Sequence, residues 1–321
     1  MQQSVHVSGE VLFDDDFRDG LGAPWAVPMR DEATLLPAAD GLRVVPAGTD
    51  PVTGQPAFAP LADRDEAAQG PGDHLKWVAL ARGPGEDGRG FEVPEGGAVE
   101  CTTVLSARGY GAARHPFGDA VPDPGQDVRL AAAAMITMDP ATHVVCDFLL
   151  TDTRVHALYE RVPTPGSQYA SFSYALPVAR RRPGQRHRLS VSFEEGGTCA
   201  VWRVEGAEVL RIDRPGQRPA DRRHLLLDHG GQDGEPVRLS RLVCAFGLLT
   251  LLDGAGPDGR GLVRPAPGGA PCYAPRIGAP KPQEFVADAG LLRRASWRPG
   301  AELTVGRVTV RAAVDRGLRR S

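Results

Sequence analysis

A chain of 321 residues, 41% hydrophobic and 24% charged, has the composition of a globular protein able to bury a sizeable core. Its net charge of −3 gives no broad attraction to nucleic acid or to an anionic membrane, so neither is an expected partner. No apolar run reaches the roughly 18 residues of a membrane-spanning helix.

The 39 glycines and 29 prolines punctuate short apolar runs, a pattern that favours strands and loops over long helices. Residues 11–17, followed by Trp25, read as a strand, an acidic turn and an aromatic anchor. Asp14, Asp15 and Asp16 are conceivable calcium ligands, although consecutive strand residues point to alternate sides. Residues 41–45 form a second strand, 46–73 a long Pro/Gly/Asp-rich loop, and 74–81 a strand with Lys76 and Trp77. Residues 82–97 are a glycine-rich loop around Phe91 and Val93. Alternation is clear at 97–108, where Val99, Cys101, Thr103 and Leu105 face one way. After a loop at 109–127, strands at 128–138 and 142–150 flank an Asp-Pro turn. Strands follow at 152–161, 169–178, 187–193, 198–204 and 209–212, then at 225–227, 239–243 and 246–252. A Pro/Gly-rich segment at 254–283 precedes a last strand with Leu303, Val305, Val308 and Val310 around Arg307. Strands at this spacing predict an all-β sandwich.

Cys101, Cys146, Cys199, Cys244 and Cys272 are odd in number and lack CxxC spacing, which predicts buried thiols rather than a zinc site. No HxH or HExxH pair is present, so no metal is expected; His6, His74, His115, His143 and His224 are isolated. Dinucleotide, triphosphate and Gly-x-Ser-x-Gly motifs are missing, so no cofactor is expected either. The N-terminus has neither the basic start nor the apolar core of a secretory leader, which makes a cytoplasmic location the expectation.

The stretch from His187 to Ile212 runs from a strand beginning with His, through a Glu-Glu-Gly-Gly turn, to a strand bearing Trp202. A Glu205-Gly206 turn and another strand complete it. It resembles concanavalin-A-like lectin/glucanase jelly rolls, as does the opening Phe13 to Phe17 with Trp25 and 41–45. The chain also resembles an uncharacterised actinobacterial family through Asp147-Phe-Leu-Leu-Thr-Asp152, Ala157-Leu-Tyr-Glu-Arg161 and Leu227-Asp-His-Gly-Gly231. The resemblance implies one jelly-roll β-sandwich domain over 1–321, with an irregular extension at 254–300 and a closing strand at 301–312. The Glu-x-Asp-x-x-Glu motif of family-sixteen glycoside hydrolases, which share that fold, is absent. Asp147 with Asp152, and His156 with Glu160, are the nearest acidic material.

The candidate site is the row Asp152, Arg154, His156, Leu158 and Glu160 on one strand face, with Val155, Ala157, Tyr159 and Arg161 opposite. His156 would be the general acid or base, Arg154 an anion clamp, and Glu160 or Asp152 the partner. Strand rise separates Asp152 from Glu160 by about 27 Å, too far for a dyad, and His156 from Glu160 by about 13 Å. Asp228 and His229 at a strand end are candidate ligand contacts. Tyr159 lines the site only if its own face does; otherwise it is a core aromatic. Two functions follow. One is a cofactor-independent cyclase, isomerase or lyase acting on a small molecule in bacterial specialised metabolism. The alternative is a carbohydrate-binding or degenerate glycoside-hydrolase-like protein that stacks a glycan ligand on Trp25, Trp77, Trp202 or Trp297.

Overall fold

Alternating apolar side chains sort the strands into two faces, and those faces close on each other. In the computed structural model, which describes residues 9–28, 32–59, 74–85, 88–265, 269–288 and 296–314, two large antiparallel sheets share one core. The first sheet runs in the order Ala207–Ile212, Cys199–Val204, His187–Glu194, Ala98–Tyr110, Gly300–Ala313, Gly41–Pro46, Ala33–Ala38, with Glu10–Asp15 also paired to Gly300–Ala313. The second runs Leu225–Asp228, Phe172–Arg180, Arg154–Arg161, Val144–Leu150, Ala132–Asp139, Arg241–Leu249, Leu75–Ala81, Trp25–Ala26, with Phe91–Glu92 paired to Arg241–Leu249. The chain crosses repeatedly between sheets and returns its last strand to the middle of the first, which makes the fold an all-β jelly-roll sandwich.

Val99, Cys101, Leu189, Val191, Trp202 and Leu303 from the first sheet meet Trp77, Phe148, Tyr159, Phe172 and Phe246 from the second in the central core. A second apolar cluster lies on the far side of the second sheet, where Ala134, Ile136, Val145, Leu149, Leu158 and Ala175 are covered by Val128 and Leu251. The three-residue step from Val305 to Val308 breaks simple alternation. A β-bulge between Val305 and Arg307 absorbs it, and Leu303, Val305, Val308 and Val310 all remain in the core. Glu205 and Gly206, with φ of 51° and 81°, make the mirror-image turn that suits a tight hairpin.

Several expectations change. Cys101 and Cys244 are not thiols; they form a disulfide that joins the two sheets, while Cys146 and Cys199 are buried and free and Cys272 is partly exposed. Residues 128–130 are turn rather than strand and the strand starts only at Ala132, because Arg129 is drawn into bonds with Asp127 and loop carbonyls. Ala33–Ala38 is a strand without an apolar stripe, and Arg241–Leu249 is one strand instead of two. Asp14, Asp15 and Asp16 turn to Arg307, Trp25 and Arg18 respectively and share no site. His6 and residues 60–73 of the predicted loop lie outside the described residues. Among the described residues no helix is long and apolar enough to cross a membrane.

Candidate active site on the outer face of the second sheet

Leu158 belongs to the outer cluster while Val155, Ala157 and Tyr159 belong to the central core, so Arg154, His156 and Glu160 point outward with Leu158. The next strand obeys the same parity. Val145 and Leu149 are outer and Cys146 and Phe148 are inner, which puts Asp147 on the outer face. The ladder pairs Asp147 with Leu158 and Val145 with Glu160. Asp147 and Glu160 are therefore diagonal neighbours, with Cα atoms on the order of 7–8 Å apart.

Each carboxyl has one short bond to protein. The ladder between Ala132–Asp139 and Val144–Leu150 skips Ile136 and Thr137, and the Thr137 amide donates instead to Asp147 Oδ1 at 2.8 Å. Ser173, on the strand beyond, donates its hydroxyl to Glu160 Oε1 at 2.7 Å. Burial pushes the Asp147 carboxyl well above the usual carboxylate range; the Thr137 bond opposes that rise, and the Glu160 charge adds to it. Burial also raises Glu160, against the Ser173 bond and the pull of His74 and His229.

Three chain segments converge over this pair. Thr250 N donates to His74 O at 2.9 Å, and His74 Nε2 lies 2.8 Å from Asp253 Oδ1. The 250–256 loop then crosses the outer face, with Leu251 N bonded to Arg129 O and Ala255 N to Leu226 O. Burial acts to raise Asp253, but the His74 imidazole and its hydrogen bond outweigh it and hold the carboxyl below its usual range. His229 Nδ1 lies 2.9 Å from Pro271 O, and Cys272 and Gln283 join that segment to the Asp253 loop. Burial pushes the Cys272 thiol up to about 12, so it is no nucleophile at neutral pH. Among the described residues no group of three His, Cys, Asp or Glu side chains is arranged to hold a metal ion.

The sequence-predicted residues are only partly brought together. Asp152 lies before the strand and accepts from Gly109 N at 2.7 Å, so it orients neither Arg154 nor His156. Arg154 donates to Gln126 Oε1 at 3.2 Å. Tyr159 is in the core, its hydroxyl bonded to Gly216 N and Gln217 O. Trp202 is likewise in the core, its indole donating to Asp147 O at 2.9 Å. Neither aromatic reaches the outer face. Trp25, Trp77 and Trp297 are also buried, so none of the four tryptophans presents a stacking surface. Asp228 is a buried anchor for Arg222, Arg218 and Gly230 N, whereas His229 does approach the centre. Asp147, His74 and Asp253 were not singled out as site residues. Asp147 could have been found by folding 142–161 as a hairpin and reading the diagonal; no sequence signal links His74 to Asp253.

His156 is buried, and its Nδ1 has no hydrogen-bond partner among the described residues. Burial lowers its pKa to about 4; Asp127 opposes this, and Arg154 and His224 assist it. A depressed imidazole contributes stability above the unfolded value of 6.5 and loses it as pH falls toward the folded value. Asp147 and Glu160, being raised, act in the opposite direction on acidification. The comparison with His156→Gln isolates the imidazole. Between pH 7 and 5, urea unfolding should show wild type losing about 2 kcal/mol more than His156→Gln. Equal losses would mean the ring titrates normally.

A family model described as a family of unknown function (DUF6081) matches residues 13–314. An uncharacterized protein of Acanthamoeba polyphaga mimivirus is 27% identical over 184 residues, covering 40% of this chain and 42% of that protein. The chain thus spans less than half the length of the curated relative it matches. Similar solved structures include a Bacteroides ovatus mixed-linkage glucan GH16 protein in complex with an oligosaccharide product, with a TM-score of 0.44 and 9% identity over 94% of this chain and 100% of that one. The apo Crh5 transglycosylase has a TM-score of 0.43 and 10% identity, covering 97% of this chain and 89% of that one. The Bacillus licheniformis β-glucanase has 0.42 and 9%, covering 95% and 99%.

Proposed function

The chain belongs to that family of unknown function, and from this premise we propose that it is a cofactor-independent acid–base enzyme acting on a carbohydrate, with Asp147 and Glu160 as its paired carboxyl groups. The observation that carries the reading is the diagonal placement of two carboxyls on one sheet face, each held from ionising freely by burial. Two interacting acids give up their protons in separate steps, so one is ionised while the other still holds a proton. Glu160, the more exposed of the two and hydrogen-bonded by Ser173, is assigned as the base or nucleophile; burial and Asp253 raise it, and Ser173, His74 and His229 oppose that rise. Asp147, the more deeply buried, keeps the proton and is the general acid. Hydrolysis of a glycosidic bond commonly uses such a pair, one carboxyl as acid and the other as base or nucleophile.

The lining supports a polyhydroxylated substrate. Glu160 and Asp253 are hydrogen-bond acceptors and protonated Asp147 is a donor, a combination that suits a ligand rich in hydroxyls, which both donate and accept. With every tryptophan buried, recognition falls to hydrogen bonds rather than stacking.

The test is turnover of neutral gluco-, manno- and xylo-oligosaccharides, followed by mass spectrometry. Glu160→Gln and Asp147→Asn should each lower turnover by at least about 100-fold, and Glu160→Gln should still bind the substrate. Full turnover by both variants would remove the carboxyl pair from the chemistry. Failure of wild type to bind or convert any carbohydrate would end the carbohydrate assignment.

A further inference from the structure

The edge strand of the second sheet carries the outer face beyond Glu160. Ser173 is paired with Glu160 on one side and with Leu227 on the other. The same register sets His229 opposite Ser171, where its amide donates to Ser171 O at 2.9 Å. Phe172 is in the central core and Ser173 reaches Glu160, so alternation turns Ser171, and with it His229, to the outer face. Two strand spacings and two residues of rise put the Glu160 and His229 Cα atoms about 12 Å apart. The two side chains therefore flank a gap instead of bonding to each other, and charge on His229 still acts on both Glu160 and Asp253. The face opens at this end. Asp147, Leu149 and Leu158 are buried, whereas Met138, Glu160, Val162 and His229 are each partly exposed, so a ligand reaches Glu160 from the side where His229 stands.

The protein fixes how the imidazole meets such a ligand. His229 Nδ1 lies 2.9 Å from Pro271 O, and a carbonyl only accepts, so Nδ1 holds the proton of the neutral ring and Nε2 presents its lone pair. Tyr273 N donates to Asp228 O at 2.8 Å, and a Cβ on Gly230 would lie 2.8 Å from the Tyr273 ring. The 271–273 segment is thus packed against the residues on either side of His229. We infer that His229 is a substrate-binding residue of the Asp147–Glu160 site, its Nε2 accepting a hydrogen bond from a hydroxyl of an oligosaccharide that enters past the edge strand. This rests on the carbohydrate reading above. His229 takes no part in proton transfer; it orients the sugar unit that lies beside Glu160.

Calorimetric titration of the full chain with gluco-, manno- and xylo-tetraose, comparing wild type with His229→Asn and His229→Gln, tests the assignment. Asparagine keeps a donor for Pro271 O at the Nδ1 position but has nothing at Nε2. Glutamine gives up that tie and brings an amide oxygen, an acceptor, to the Nε2 position. The best-bound tetraose should lose about tenfold in affinity for His229→Asn, the loss of one hydrogen bond, and no more than about threefold for His229→Gln. A structural role gives the reverse order, with His229→Asn near wild type and His229→Gln weakened, and that result overturns the assignment. Wild-type affinity in both variants overturns it as well. So does an equal loss in both, which assigns binding to the bulk of the ring and not to Nε2. If wild type binds none of the three, the carbohydrate reading falls and takes this inference with it.

Discussion

Replacing Cys101 and Cys244 together by alanine should lower the free energy of unfolding by about 5 kcal/mol, the chain-entropy value for a loop this long. The bond joins residues 143 apart in sequence, one in Ala98–Tyr110 of the first sheet and one in Arg241–Leu249 of the second. Both sulfurs lie in the central core, so reducing agent reaches them slowly unless the sheets part. In the reduced unfolded chain these strands are free to separate; in the oxidised one they are not. Guanidinium unfolding of the double variant against wild type measures the difference. A thiol count in unfolded, unreduced protein checks the premise: three thiols, from Cys146, Cys199 and Cys272, are expected. Five reactive thiols, or a stability loss near zero, would show that the sheets are not covalently joined. Such bonds persist in oxidising compartments, so protein made in a bacterial periplasm should carry the bond more completely than protein made in a reducing cytosol.

The strands were legible wherever one side was apolar. Val99 to Leu105, the 142–150 and 152–161 pair, and His187 to Ile212 all fold at the positions their alternation indicates. Ala33–Ala38 was not legible because it is mostly exposed and has no stripe to betray it. The strand predicted from 128 begins at Ala132, because an arginine at 129 satisfies its charge in a turn before the chain enters the sheet. The disulfide was hidden for a different reason. Its partners sit in different sheets, and spacing along the chain carries no information about contacts across a sandwich.

The site was half legible, for a reason rooted in sheet geometry. Reading along one strand puts same-face residues about 6.5–7 Å apart per step, which rightly separates Asp152 from Glu160. Partners closer than that lie across the ladder. Asp147 opposite Leu158 follows from a short connection between strands ending at Leu150 and starting at Arg154, a relation between strands rather than within one. His74 and Asp253 meet only after the loop following Arg241–Leu249 turns back over the outer face. No periodicity encodes that path.

Replacing Arg129 by methionine should cost about 3–5 kcal/mol, because it strips the partner from a carboxylate that is itself mostly buried. Arg129 is 1% exposed. Its guanidinium takes both oxygens of Asp127, at 2.9 and 2.6 Å, and donates to Ala120 O and Arg260 O. Its carbonyl accepts Leu251 N, the first tie of the loop that carries Asp253. The 117–130 and 250–263 segments are therefore pinned by one side chain, and a Cβ on Gly256 would lie 2.5 Å from its Nη1. Methionine fills much of the same volume, so the expected loss reflects the stranded charge and carbonyls more than a cavity. The double variant Arg129→Met/Asp127→Asn removes that charge and should recover about 1–2 kcal/mol of the loss. Urea unfolding measures both. Hydrogen exchange should quicken first at 250–256, since those amides lose their anchor before the sheets open. Unchanged exchange there, with the full stability loss present, would show that His74, Leu226 and Gln283 alone hold the covering of the carboxyl pair.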